Sequence, residues 1–324
     1  MIERGPVTAA QLGGTLRKSV VAAQRLGAVH AWLPASETPL MTPSTRVSEV
    51  LATTCAEAEA HAALLVQSSL EHADAVAVFI SRRSPFLPHS VGRTANEHAL
   101  RAMHFLDPTV DERERAARRM NEWLYAIKET RRRRVGIVNA GHPGAELMPD
   151  EAPMRERIFA RAETLGLLVN RTQDGGYVGA LRRVSTMKLA EQYLSAPGGG
   201  GVSSAALRLH AGMTHGVETA LLSTSEHGER GGRRLATPKS MEPSVLAFHL
   251  MGVLVATVNA IRSLAVRYHW DLEGRAADVL ATHQAGAMDT WQRAIREYLD
   301  VVAPDRERSG VFAERPAGVW PTSS

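Results

Sequence analysis

Three features of the chain predict an all-α protein, an irregular bundle of about eight to ten helices with no sheet. Alanine, leucine, glutamate and arginine dominate, alternating β-branched segments are scarce, and proline or glycine clusters punctuate the sequence at helix-length intervals.

Taken in order, the first helix is expected from about Thr8 to Trp32, closed by Pro34. The second begins near Ser44 or Thr45, carries RVSEVLATTCAEAEAHAALLVQSSL and is expected to break near Glu71 and His72 before continuing through ADAVAVFIS. Pro85 and Pro88 punctuate the chain, and a helix then spans about Pro88 to Leu106, ended by Asp107-Pro108. Thr109 and Glu112 stand at the spacing of a capping box and open a helix through RMNEWLYAIKETRRRR. The Gly/Pro-rich stretch VGIVNAGHPGAELMPDEAP follows. It marks a candidate subdivision near 135–150 in what otherwise reads as one helical domain over 1–303.

A helix near Pro153 to Leu165, a loop containing NRTQDGGYVGA and a short helix from Ser185 through Leu194 come next. Gly198 to Gly201 is too permissive for regular structure. Helices at about Ser203 to Leu222, Pro243 to His269 and Leu272 to Val302 complete the set. The insert STSEHGERGGRRLATPKSMEP and the tail over 304–324 read as flexible. The chain shows no repeat of roughly 20–50 residues and no sustained heptads.

A chain of 324 residues is long enough to bury a substantial core. Cys55 is the only cysteine, which excludes a disulfide framework and a multi-cysteine zinc site; its helical context points to a packed thiol and a reducing, cytoplasmic setting. The start MIERGPVTAAQLGG lacks the apolar core of a signal peptide. The longest apolar run, Val245 to Ala260, is interrupted by His249, Gly252 and Asn259 and is shorter than the ~20 residues of a bilayer span. It is expected to be a buried central helix, and no membrane association is expected.

The net charge is +4 and the basic side is nearly all arginine, 34 Arg against 4 Lys. Arg113, Arg115, Arg118 and Arg119 are interleaved with Glu112, Glu114 and Glu122, which reads as a salt-bridged helix face. Arg131 to Arg134 is the one unbalanced patch, and the dipole at a helix C-terminus also favours cations there. A nucleic-acid partner therefore has weak support.

The polar constellations lie in two segments. In GRTANEHALRAMHF, projection at 100° per residue places Val91, Ala95, Ala99, Ala102 and Leu106 on one face, and Arg93, Glu97, Leu100 and His104 nearly opposite. On a solvent-facing side, Arg93 and Glu97 would be an ordinary ion pair worth a few tenths of a kcal/mol. Leu100 does not fit that account; a leucine among those residues implies that the polar face also meets protein. The Ser203 to Leu222 segment repeats the pattern, with an apolar stripe through Ala206, Leu209, Met213, Val217 and Ala220. Arg208 and His215 lie on its other side beside the small residues Ala211, Gly212, Gly216 and Thr219.

An Arg-x4-6-His spacing, the arrangement of helical ribonuclease toxins, occurs six times, Arg93 to His98 among them, against about four expected from composition alone. It carries almost no information. His-Glu-x-x-His, Glu-x-x-His, EF-hand, phosphate-loop and Gly-x-Ser-x-Gly signatures are all missing, so neither metal nor cofactor is expected.

RTANEHALRAMHFLDPTVDERERAARRMNEWLYAIKE, LRRVSTMKLAEQYL and LRLHAGMTHGVETAL together resemble three landmarks of a family of all-helical actinomycete proteins, a domain of unknown function. In that family an Arg-x-x-x-Glu helix ends in Leu-Asp-Pro, an Arg-Pro-Ser/Thr-like helix start follows, and a Ser-x-x-x-His-Gly segment comes later. The resemblance covers about Val50 to Trp270 and picks out Arg93, Glu97, His215 and Gly216. Val184 stands where the pattern has proline, and His210 and Ala211 occupy the usual tyrosine/serine neighbourhood. The resemblance supplies no activity; it implies that the two polar helices meet.

The function expected from these readings is binding of a protein partner or small ligand without assignable chemistry, at Arg93, Glu97, His104, Arg208, His215 and Gly216. The alternative is a phosphoryl-transfer or ribonuclease-like helical toxin domain in which Arg93, Arg208 and His215 share a pocket and Glu97 orients one of them.

Overall fold

The structure is a computed structural model that describes residues 5–35, 46–139, 151–172, 176–180, 182–194, 225–230, 233–238 and 242–302. Among these residues there are eight helices: α1 (Ala9–Val29), α2 (Arg46–Ser81), α3 (Leu87–Leu106), α4 (Glu112–Asn139), α5 (Glu151–Thr164), α6 (Thr186–Leu194), α7 (Pro243–Arg267) and α8 (Arg275–Val302). The all-α class holds. Two small antiparallel ribbons are added where no strand is expected. In the first, β1 (Val169–Asn170) pairs with β2 (Tyr177–Val178). The second, β3 (Ser225–Arg230) with β4 (Arg233–Pro238), runs in register from Ser225↔Pro238 to Arg230↔Arg233, inside the insert expected to be flexible.

Three boundaries differ from expectation. α2 runs unbroken through Glu71 and His72, because Leu70, Ala73 and Ala77 continue one buried stripe and no proline or glycine interrupts it. α4 continues through VGIVN to Asn139. Its cap is Asp111, whose Oδ1 accepts from Glu114 N at 2.8 Å, while Thr109 turns back to donate both N–H (3.0 Å) and hydroxyl (2.6 Å) to Asp107 Oδ1.

The chain forms two compact units whose boundary falls within α2 and α3 rather than in the 135–150 connection. One comprises Met1–Ser36, Leu64–Met103 and Thr186–Ser324, the other Glu37–Ala63 and His104–Ser185.

In the first unit, Thr8 and Gln11 cap α1 reciprocally: Gln11 N donates to Thr8 Oγ1 at 3.2 Å and Thr8 N to Gln11 Oε1 at 2.8 Å. Leu12, Leu16 and Leu26 of α1 are fully buried, each contributing roughly 2 kcal/mol of apolar transfer. α1 and α8 are antiparallel. Val7 N donates to Glu297 at 3.3 Å, Trp291 Nε1 to Leu12 O at 3.3 Å, and Ser19 Oγ to His283 O at 3.1 Å, so partners descend along α8 as α1 ascends. Gly13 lets α1 approach α2, since a Cβ there would collide with Ser81 Oγ and the Ala77 carbonyl. α7 is the central helix expected from its apolar run; it buries Leu250, Val253, Leu254 and Ile261, among others.

By length and composition, α7 and α2 from Val47 each reach what a bilayer span requires, with 56% and 44% of the relevant window already buried in protein. The expectation that the apolar run is too short is thereby corrected, because the helix extends past Ala260 to Arg267.

The second unit has its own core of Cys55, Ala116, Met120, Leu124, Phe159, Ala162 and Val178. The arginine series at the start of α4, expected to be a salt-bridged face, carries those pairs in Arg115–Glu112 at 3.4 Å and Arg118–Glu114 at 3.1 Å, and it is also partly internal. Arg115 is 1% exposed, and its guanidinium donates to the Phe105, Asp107 and Val110 carbonyls, while Arg118 donates to His104 O at 2.6 Å. Together they satisfy carbonyls that the end of α3 leaves without helical partners.

Candidate functional site

α3 is buried on nearly every side. Ala95, Ala99 and Ala102 are fully enclosed, as the apolar projection requires, and so is Leu100 on the opposite, polar face. That face therefore turns inward. In the first unit it presents His89, Asn96 and Arg101, each at most 3% exposed, with Arg93 and Glu97 half-buried between them. Spacings of three and four residues place this set along one stripe.

Two helices meet the stripe. From α6, Thr186 Oγ1 donates to Glu97 Oε1 at 3.2 Å, so among the described residues Glu97 pairs with a hydroxyl and not with Arg93. From α7, Gly252 faces Asn96: a Cβ built on the glycine would sit 3.6 Å from Asn96 Nδ2, 3.7 Å from its Oδ1 and 4.0 Å from Leu194 of α6. One turn earlier, the His249 ring stands 5.5 Å from that of His89. Burial pushes the His249 imidazole down to about 4, so it is neutral near pH 7.

The stripe retains unused hydrogen-bonding capacity. Among the described residues, Asn96 Oδ1 and His249 Nδ1 are both buried without a hydrogen-bond partner. Each such group costs roughly 1–3 kcal/mol, and a buried carboxamide oxygen is an acceptor awaiting a donor.

On the other flank of α3, His98 Nδ1 lies 3.0 Å from Ser68 Oγ, and His72 Nδ1 lies 2.7 Å from the Ser68 carbonyl. His72 donates to that carbonyl, and Ser68 Oγ shares a hydrogen bond with His98. Burial first, then the neighbouring His72, lowers the His98 pKa against an opposing pull from Glu97, which favours the neutral imidazole beside Ser68. A serine beside a neutral histidine is half of a nucleophilic pair. Ser68 sits in mid-helix, however, where backbone N–H groups are committed to the helix and cannot form an oxyanion hole. The trio is a clasp between α2 and α3.

Of the residues singled out in the sequence, Arg93 and Glu97 share the inward stripe. His104 is buried but belongs to the second unit, where its carbonyl accepts from Arg118 and its ring packs 6.3 Å from Phe105. Arg208, His215 and Gly216 lie outside the described residues, as do the helix expected at Ser203 to Leu222 and the tail over 304–324. Asn96, His249, Gly252 and Thr186 are the site residues that the sequence reading missed. Asn96 could have been found, since the projection that places Arg93 and Leu100 on the inward face places Asn96 beside them.

Among the described residues no group of three or more His, Cys, Asp or Glu side chains is arranged to hold a metal ion. Comparison with family models, curated proteins and solved structures finds no match to this chain.

Proposed function

We propose that this protein is a cytoplasmic helical bundle that binds a small polar ligand against the inward face of α3, without assigned chemistry of its own. The observation that carries the reading is Asn96: its carboxamide is 1% exposed, its Oδ1 has no partner among the described residues, and it faces the one residue of α7 without a side chain. A ligand N–H or O–H directed at Oδ1 would remove a desolvation penalty that the unliganded fold carries. Glu97, held by Thr186, offers a carboxylate to a second donor group of the ligand.

Kinship with the actinomycete helical family is part of the proposal, since Arg93 and Glu97, the Arg-x-x-x-Glu pair behind it, lie on this stripe. The phosphoryl-transfer alternative depends on Arg208 and His215, and the described residues contribute only Arg93 and Glu97 to it.

The test is thermal unfolding with a panel of free amino acids, nucleosides and polyols, run on wild type and Asn96→Leu. At least one compound class is expected to raise the wild-type midpoint and to lose that effect in the variant, as linkage requires of a ligand that binds only the native state. Equal shifts for both proteins across the panel would place any binding elsewhere.

A further inference from the structure

A second surface of the first unit has the form of a docking groove. It runs along α1 and the start of α8 with a volume of about 560 Å³, and Val21, Ala22 and Val279 form its floor. Arg17, Lys18, Arg25 and His283 line it. Arg17 is neutralised by Asp74 at 3.2 Å. Among the described residues, Lys18 and Arg25 have no carboxylate within ion-pair distance, and both are exposed. The groove is therefore an apolar trough with two uncompensated cations.

Its walls are fixed before anything binds. The Trp291 and Ser19 hydrogen bonds and the Glu297 contact tie α1 to α8 along its length. The furrow between two antiparallel helices is the natural seat for a third, whose ridge enters the groove. Lys18 and Arg25 are seven residues apart on α1, two turns or about 10 Å. Val21 lies between them.

We propose that this groove docks an amphipathic helix of a partner protein, one that carries two acidic side chains two turns apart with aliphatic side chains between them. The acids meet Lys18 and Arg25, and the aliphatic side chains cover Val21 and Val279. Opposite charge sets the register and speeds encounter, while apolar burial supplies the adhesion.

The experiment uses fluorescence anisotropy on the full chain with a labelled helical peptide of about 18 residues, some five turns. It bears two glutamates two turns apart flanking a leucine pair, and a scrambled peptide of the same composition is the control. Wild type is expected to bind the designed peptide and not the scrambled one, with affinity falling as salt rises. Lys18→Glu/Arg25→Glu is expected to weaken binding about tenfold or more, and a peptide with lysines in place of the two glutamates is expected to bind that variant. This rescue separates lost recognition from lost folding. Equal binding of the scrambled peptide, unchanged binding by the double variant, or no binding at all would overturn the proposal. So would sedimentation showing that wild type alone forms a dimer that the double variant dissolves, because the groove would then belong to a second copy of this chain.

Discussion

Thr186 donates its hydroxyl to Glu97 across 3.2 Å, joining the first turn of α6 to the middle of α3. The bond holds a half-buried carboxylate that would otherwise rely on water. Thr186→Val keeps the shape and removes the donor, and is expected to lower the free energy of unfolding in urea by about 1 kcal/mol. A change within the ~0.5 kcal/mol scatter of ordinary surface substitutions would mean that the hydroxyl does not hold Glu97.

Arg115 gives a larger effect. Its guanidinium reaches three carbonyls around the end of α3, with Glu112 3.4 Å from its Nε. Arg115→Met would leave those carbonyls buried without a donor and is expected to cost about 3 kcal/mol. Lysine would recover little of this, since one ammonium cannot span the arc that a planar fork covers. Full rescue by Arg115→Lys would show that charge alone matters there.

Asn121 clamps the first ribbon. Its Nδ2 donates to Val178 O and its Oδ1 accepts from Val178 N, both at 2.8 Å, inside the second unit's core. Asn121→Ala strands both backbone groups and is expected to cost about 2–4 kcal/mol, with faster amide hydrogen exchange concentrated in β1 and β2. Uniform acceleration across the unit would contradict a local clamp.

His249 makes stability depend on pH. Its folded pKa, near 4, lies below the unfolded value of 6.5, so between these limits the unfolded chain binds more protons than the native one. Stability is therefore retained above pH 6.5 and falls as pH drops toward 4, by up to about 3 kcal/mol from this group. His98, lowered in the same direction, adds to the slope. Comparing urea midpoints across this window for wild type and His249→Gln checks the assignment. A slope unchanged in the variant would remove His249 as its source.

Cys55 is 6% exposed, its thiol donates to the Glu112 carbonyl at 3.2 Å, and burial pushes its pKa upward. It is expected to resist a thiol reagent in native buffer and to react fully in denaturant. Rapid labelling of the folded protein would contradict this packing.

Where proline breaks the chain, the sequence speaks clearly at two places: Pro88 and Asp107-Pro108 stand at real helix ends, whereas α1 already ends at Val29, short of the Trp32 and Pro34 expected to close it. The continuity of α2 was not legible, because a short polar pair looks like a break until the buried residues on either side are known. The β1–β2 ribbon was invisible for another reason: two-residue strands carry no periodicity, and this one depends on Asn121, far away in sequence. Leu100 correctly announced that the polar side of α3 faces protein. What the sequence could not show is that Thr186 donates to Glu97, since that partner is brought by α6 in space.

Urea unfolding of Asn96→Leu tests the central claim most directly. If the inward stripe keeps an acceptor in reserve for a ligand, replacing the carboxamide with a near-isosteric apolar side chain removes an unmet desolvation cost and raises unfolding free energy by about 1 kcal/mol. A loss of similar size would show that Asn96 already bonds within the fold, and the stripe would then be structural.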